Sequence, residues 1–185
     1  MASRNEPVPE KSVRSIGEAW RRELPGVPVS SIGIVTPVWR LAKLFGDDRR
    51  RVLARAGVDP ATLDLLSVLR REGTPYTLTT RELSRRSLVT AGAVSQRVAR
   101  AEAEGLVTRR SVGGRPRTVE VTLTPAGHAL VESTVDSVLK REAELLAALT
   151  PAQQTQLTEL LGALFDTVAE SLGDHRLTHV GDDAS

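Results

Sequence analysis

The chain has 185 residues, 40% of them apolar, and 25 Lys and Arg stand against 23 Asp and Glu for a formal net charge of +2. This suits one domain with extensions and excludes a generally basic coat for nucleic acid, so any positive charge that matters must act locally. The lack of cysteine excludes disulfides, thiol redox sensing and Cys-ligated zinc, and with no signal peptide and no apolar run near the roughly 20 residues of a membrane span the sequence predicts a cytoplasmic protein that stays out of the membrane. In chain order, residues 1–11 are polar, carry Pro7 and Pro9, and read as a disordered arm. Residues 12–23 suit a short helix with Ile16 and Trp20 on one face, broken by Leu24-Pro25-Gly26-Val27-Pro28. A long helical stretch runs from about 31 to 56, where Pro37 predicts a kink or a restart capped by Thr36 and Gly57 ends the run. Asp59-Pro60 then caps a helix that reaches about Glu72.

Residues 79–127 read TTRELSRRSLVTAGAVSQRVARAEAEGLVTRRSVGGRPRTVEVTLTPAG and carry the strongest signal. Thr79 or Thr80 caps a short helix, Leu88 and Val89 turn it, and Thr90 caps a second helix that stops at Gly105. Val94, Val98 and Ala101 recur at helical spacing and should face a core, leaving Ser95, Gln96, Arg97 and Arg100 outward. Gly92 costs this helix about 1 kcal/mol relative to alanine. Two explanations fit equally: close packing on the preceding helix, or close approach of the helix start to a phosphate. Runs at 106–111 and 118–123 are extended, joined by Val112-Gly113-Gly114-Arg115-Pro116-Arg117, and form a hairpin. Arg109, Arg110, Arg115 and Arg117 crowd it, with no acid between Arg109 and Arg117. Gly114-Arg115-Pro116-Arg117 resembles the core of an AT-hook, whose arginines enter a narrow, strongly negative minor groove.

Helix, turn, helix and basic hairpin in this order make a winged helix-turn-helix. The fold class expected is mainly α with a small β wing. Thr124-Pro125 starts the next helix, which runs to about 149, and Thr150-Pro151 starts another to about 172. Leu130, Val131, Val138, Leu145, Leu146, Leu149, Leu157, Leu160, Leu161, Leu164 and Val168 give these helices more apolar surface than a small winged domain covers. Packing on the helix at 31–56 would cover it; a two-fold homodimer pooling both chain ends also accounts for paired reading helices about 34 Å apart on a palindromic operator. Residues 173–185 read as a flexible tail. The expected organisation is therefore 1–11 arm, 12–57 N-terminal helices, 58–124 winged helix-turn-helix, 125–172 dimerisation helices and 173–185 tail.

The phrases Val89-Thr90-Ala91-Gly92-Ala93, Glu104-Gly105-Leu106-Val107 and Leu123-Thr124-Pro125-Ala126-Gly127, with the wing between them and helices at both ends, resemble the MarR family of transcription regulators over about residues 12–172. The added N-terminal helix, with Trp20 followed by proline, resembles the urate-responsive branch typified by PecS and HucR. That branch implies a ligand site at Trp20, Asp64, Arg97 and Arg109, and a repressor that leaves double-stranded DNA when a small anion such as urate binds. The residue types suit such a ligand, with two planar guanidinium groups as charge-assisted donors, an aromatic face, and a carboxylate for ring N–H groups or for an arginine in the empty state. In the DNA complex Thr90, Ala91, Ser95 and Gln96 are expected at base edges or the nearby backbone, and Arg110, Arg115 and Arg117 in the wing. The family's wing usually has an acid shortly before the arginine matched by Arg117, where this chain has Gly114, Arg115 and Pro116.

Each ligand residue also has a plain structural use: Trp20 and Ile16 as a helix anchor, Asp64 as a solvated acid near a helix start, Arg97 and Arg109 as phosphate contacts. Two further readings stay open, the same regulator answering a phenolic acid, tricarboxylate or antibiotic-like metabolite, and a winged-helix DNA-binding protein without ligand control. The histidines, His128, His175 and His179, stand in no nucleophile–base or metal-ligand pattern, so no enzyme, catalytic residue, metal or cofactor is expected.

Overall fold

The computed structural model describes residues 13–87, 89–113 and 118–173. The chain divides into two compact units, Met1–Asp48 and Arg49–Ser185. In the first, α1 (Val13–Glu23) ends with Arg21 and Arg22 in its last turn, where cations suit the helix dipole. A 3-10 turn at Val29–Ser31 leads into α2 (Ile32–Ala56). The restart expected at Thr36 does not occur, because α2 runs unbroken through Pro37. Pro37 lies in the second turn, so its missing N–H removes one bond near the helix start and leaves the rest of the ladder intact.

The second unit is a winged helix-turn-helix with two long helices appended. Asp59 accepts from the Ala61 and Thr62 backbone N–H groups at 3.0 and 3.1 Å and starts α3 (Pro60–Glu72). Strand β1 (Thr77–Thr79) follows, then α4 (Thr80–Ser87), α5 (Ala91–Ala103), β2 (Val107–Val112), β3 (Thr118–Leu123), α6 (Pro125–Leu146) and α7 (Pro151–Leu172). Among the described residues the strands form one antiparallel sheet in the order β1-β3-β2. The fold is thus mainly α with a small β wing, as expected, although β1 was not. Its three residues are too few to show alternation, and they are held by distant partners: Thr77 faces Thr122, with their hydroxyls 2.8 Å apart.

One core holds this unit together. Leu65, Leu66 and Leu69 of α3, Leu83 of α4, Val94 and Val98 of α5, Val107 and Val121 of the sheet and Val131 of α6 are each under 3% exposed. The expected inward stripe of α5 is therefore correct at Val94, Val98 and Ala101. Arg49 near the end of α2 joins Glu142 of α6 at 2.9 Å. Thr124 ties the wing to α6: its hydroxyl accepts from the Gly127 N–H and donates to the Gly105 carbonyl at 2.7 Å, and its N–H donates to the Leu106 carbonyl at 3.1 Å. A methyl group on Gly127 would fall on that Leu106 carbonyl oxygen, so the helix start needs glycine here for close approach rather than for backbone freedom. Helix α7 has a capping box between Thr150 and Gln153, yet none of its residues is buried.

Candidate DNA interface and anion site

The reading helix is positioned by local chemistry at its start and by packing along its length. Thr79 and Glu82 cap α4 reciprocally, the Thr79 N–H donating to the Glu82 carboxylate at 2.8 Å and the Glu82 N–H to the Thr79 hydroxyl at 3.2 Å. The bonds that Glu82 accepts, from the Thr79 backbone N–H first and its hydroxyl second, hold the Glu82 carboxyl below its usual range. The Ser84 hydroxyl donates to the Val89 carbonyl at 2.6 Å across the turn. Thr90 is the N-cap of α5 and accepts from the Ala93 N–H at 3.3 Å. Leu88 lies outside the described residues.

With Val94, Val98 and Ala101 buried, α5 leaves Thr90, Ala91, Ser95 and Gln96 at its N-terminal half, on the side away from the core. This is a short-side-chain surface next to a helix N-terminus, where free N–H groups and the dipole favour a phosphate. Gly92 belongs to it. A methyl there would meet nothing nearer than the Thr90 hydroxyl at 4.0 Å, so the close-packing explanation for this glycine is excluded. Arg81 of α4 is exposed as well, and no pattern in the sequence marks it out.

Arg97 departs from the outward orientation expected of it. Its guanidinium reaches the Asp64 carboxylate of α3 at 2.8 Å, and both side chains are largely buried, 18% and 13% exposed. Two of the residues singled out by resemblance are therefore in direct contact. Arg109, on β2, is joined instead to Glu102 in the last turn of α5: its Nε donates to the carboxylate at 2.6 Å, and Nη2 approaches the same oxygen. This hydrogen bond, more than the coulombic attraction, lowers the Glu102 pKa and raises that of Arg109. Arg110 is paired across the sheet with Glu120 at 2.8 Å while remaining 76% exposed. The sequence showed no acid within the wing's arginine run, yet acids from the neighbouring helix and strand balance Arg109 and Arg110. Glu102 and Glu120 were missed because only the α5–β2 turn and the β2–β3 register bring them there. Arg115 and Arg117 lie outside the described residues. Trp20, on α1 in the first unit, is 49% exposed, which does not suit a buried anchor.

A separate groove of about 360 Å³ lies between α3 and α6, with Val131, Val135 and Leu139 on its apolar side and Arg70 and Arg71 at its edge. Arg70 is held by Glu132 at 2.9 Å and lies over the Tyr76 ring.

A sequence model described as the MarR family matches residues 56–115, which spans α3, the helix-turn-helix and the rising strand of the wing. The HTH-type transcriptional regulator PecS of Dickeya dadantii (strain 3937) is 26% identical over 150 residues, covering 81% of this chain and 90% of that protein. The chain is thus similar to the MarR family over α3, the helix-turn-helix and the rising wing strand, and to PecS over most of its length. Among solved structures, a MarR family protein from Bacillus stearothermophilus is similar with a TM-score of 0.63 at 20% identity, covering 77% of this chain and 99% of that one. NadR, solved in complex with 4-hydroxyphenylacetate, is similar with a TM-score of 0.51 at 23% identity, covering 76% and 94%. No helix among the described residues is long and apolar enough to cross a membrane.

Proposed function

We propose that this chain is a DNA-binding transcription regulator of the MarR type, a homodimeric repressor that binds a palindromic operator and releases it when a small planar anion of the urate type binds. The observation that carries the effector site is the Arg97–Asp64 pair, a largely buried arginine of the reading helix held by a carboxylate of α3. Buried ion pairs contribute little net stability, and removing one partner leaves a costly unpaired charge. Such a pair is therefore sensitive to a competing anion. Arg97 and Arg109 supply donors for that anion, Asp64 accepts from ring N–H groups, and Trp20 is assigned its aromatic face from the resemblance to the urate-responsive branch. Thr90, Ala91, Ser95 and Gln96 meet the major groove, and Arg110, with Arg115 and Arg117 from the sequence, serves the wing. The operator is released only if the anion binds the DNA-free state more tightly, since equal affinity shifts nothing.

The dimer rests on the bare face of α7. Leu157, Leu160, Leu161, Leu164 and Phe165 are 40–61% exposed, and an apolar patch of this kind on a soluble chain marks an interface. The residue ranges expected for arm, N-terminal helices, winged domain, dimerisation helices and tail give the division of labour in this proposal.

The test is fluorescence anisotropy on the chain's own upstream DNA with and without urate. Wild type is expected to lose affinity roughly 5- to 150-fold with urate, the span of ordinary coupling energies. Arg97→Ala, with circular dichroism showing it folded despite the unpaired Asp64, should bind DNA and lose that response; an unchanged response removes Arg97 from the site. The α3–α6 groove favours a second reading, an aromatic carboxylate such as a phenolic acid seated on Val131 and Val135 near Arg71. A response to 4-hydroxybenzoate but not to urate would support it.

A further inference from the structure

We infer, resting on the anion site proposed above, that Glu102 is a built-in competitor for the effector: its carboxylate occupies the face of Arg109 that the anion must take. The fork formed by Nε and Nη2 of Arg109 is turned onto one Glu102 oxygen, at 2.6 Å from Nε. That fork is the part of a guanidinium that grips a planar anion with two parallel hydrogen bonds. Glu102 and an effector anion thus present the same chemistry to the same donors, and binding at Arg109 is an exchange of one carboxylate-like partner for another.

The exchange acts on the reading helix. Glu102 stands in the last turn of α5, followed by Glu104 at the C-cap. Negative charge at a helix C-terminus opposes the dipole, and Arg109 offsets it from across the Gly105 turn. Among the described residues the Arg97–Asp64 pair ties the middle of α5 to α3, and the Glu102–Arg109 pair ties its end to β2. An anion that draws Arg109 away leaves Glu102 without this partner at the end of α5, where Arg100 is the remaining cation of the last turn, and breaks this link to the wing strand. Glu102 therefore sets the effector threshold and links occupancy of the site to the geometry of helix and wing.

The experiment is isothermal titration of the full-length protein with urate, for wild type, Glu102→Gln, Arg109→Gln, the double variant and Arg97→Ala. Glu102 and Arg109 are 35% and 42% exposed, so their variants should fold, and circular dichroism checks these and Arg97→Ala, which leaves the largely buried Asp64 without this partner. Glu102→Gln should bind urate about two- to fivefold more tightly, the size expected when an exposed ion pair no longer competes. Arg109→Gln should weaken binding, and Glu102→Gln added to it should give no gain. An unchanged or weaker affinity in Glu102→Gln, with Arg97→Ala and Arg109→Gln both impaired, overturns the competition and leaves the anion site standing. Unchanged affinity in Arg97→Ala and Arg109→Gln overturns both.

Discussion

Gly92 and Gly127 are both small residues near a helix start, and their surroundings separate them. Gly127 faces the Leu106 carbonyl with no room for a methyl group, whereas Gly92 faces open space. Gly127→Ala should therefore lower stability by about 1–3 kcal/mol, the usual cost of overpacking, as read from urea unfolding. Gly92→Ala should leave stability unchanged or raise it by up to about 1 kcal/mol, yet weaken operator binding, because its added methyl meets the DNA and not the protein. A Gly92→Ala variant with full operator affinity would show that nothing approaches that face closely. From the sequence, Gly92 could be noticed and not decided, while Gly127 passed as part of a helix-start phrase. The difference lies in the Leu106 carbonyl, which reaches Gly127 only through the fold. Glu102 and Glu120 were hidden for the same reason, being ordinary surface acids until a turn and a strand register carry them to Arg109 and Arg110.

Helix boundaries were legible because caps are local. Asp59, Thr90, Thr124 and Thr150 each bond backbone two or three residues ahead, and each was readable as a cap. Strand β1 was not, since its bonds are to β3, more than forty positions away in the pairing of Thr77 with Thr122. The acidic caps give α3 and α4 a common response to pH. Burial opposes ionisation of Asp59 and is the largest single influence there, but the Thr62 hydroxyl and N–H, the Arg100 charge and the Ala61 N–H outweigh it and leave its pKa lowered. Glu82 is lowered as well. Both carboxylates thus titrate lower in the folded chain than in the unfolded one. Their contribution is complete above the unfolded value, about pH 4, and is lost as pH falls through the depressed folded values. Chemical denaturation should show stability falling below about pH 4. The Asp59→Asn, Glu82→Gln double variant keeps neutral capping groups and should flatten that fall; an identical acid slope would remove these caps from the cause.

The long helices set how the molecule is used. Helix α7 shows its apolar side to solvent along its length, with Leu160 at 61% and Phe165 at 53% exposure. Leu160→Glu should turn a dimer into a monomer in analytical ultracentrifugation, and operator affinity should fall by at least about tenfold, since one half-site contact replaces two linked ones. A wild-type monomer in the same measurement would refute the proposed assembly. The sequence showed that this surface needed a partner, but not which, because a stripe of leucine is equally suited to its own chain or to a copy. The grip of Thr124 on Gly105 and Leu106 then has a consequence for the DNA. It fastens the turn after α5 to the start of α6, so a shift of the reading helix is expected to carry the start of α6 with it. Each base pair inserted between half-sites displaces the far half by about 3.4 Å and turns it by roughly 34°. If the proposed dimer holds its reading helices through this joint, operators with an altered spacer are expected to bind more weakly, and least so where the spacer twists or bends easily.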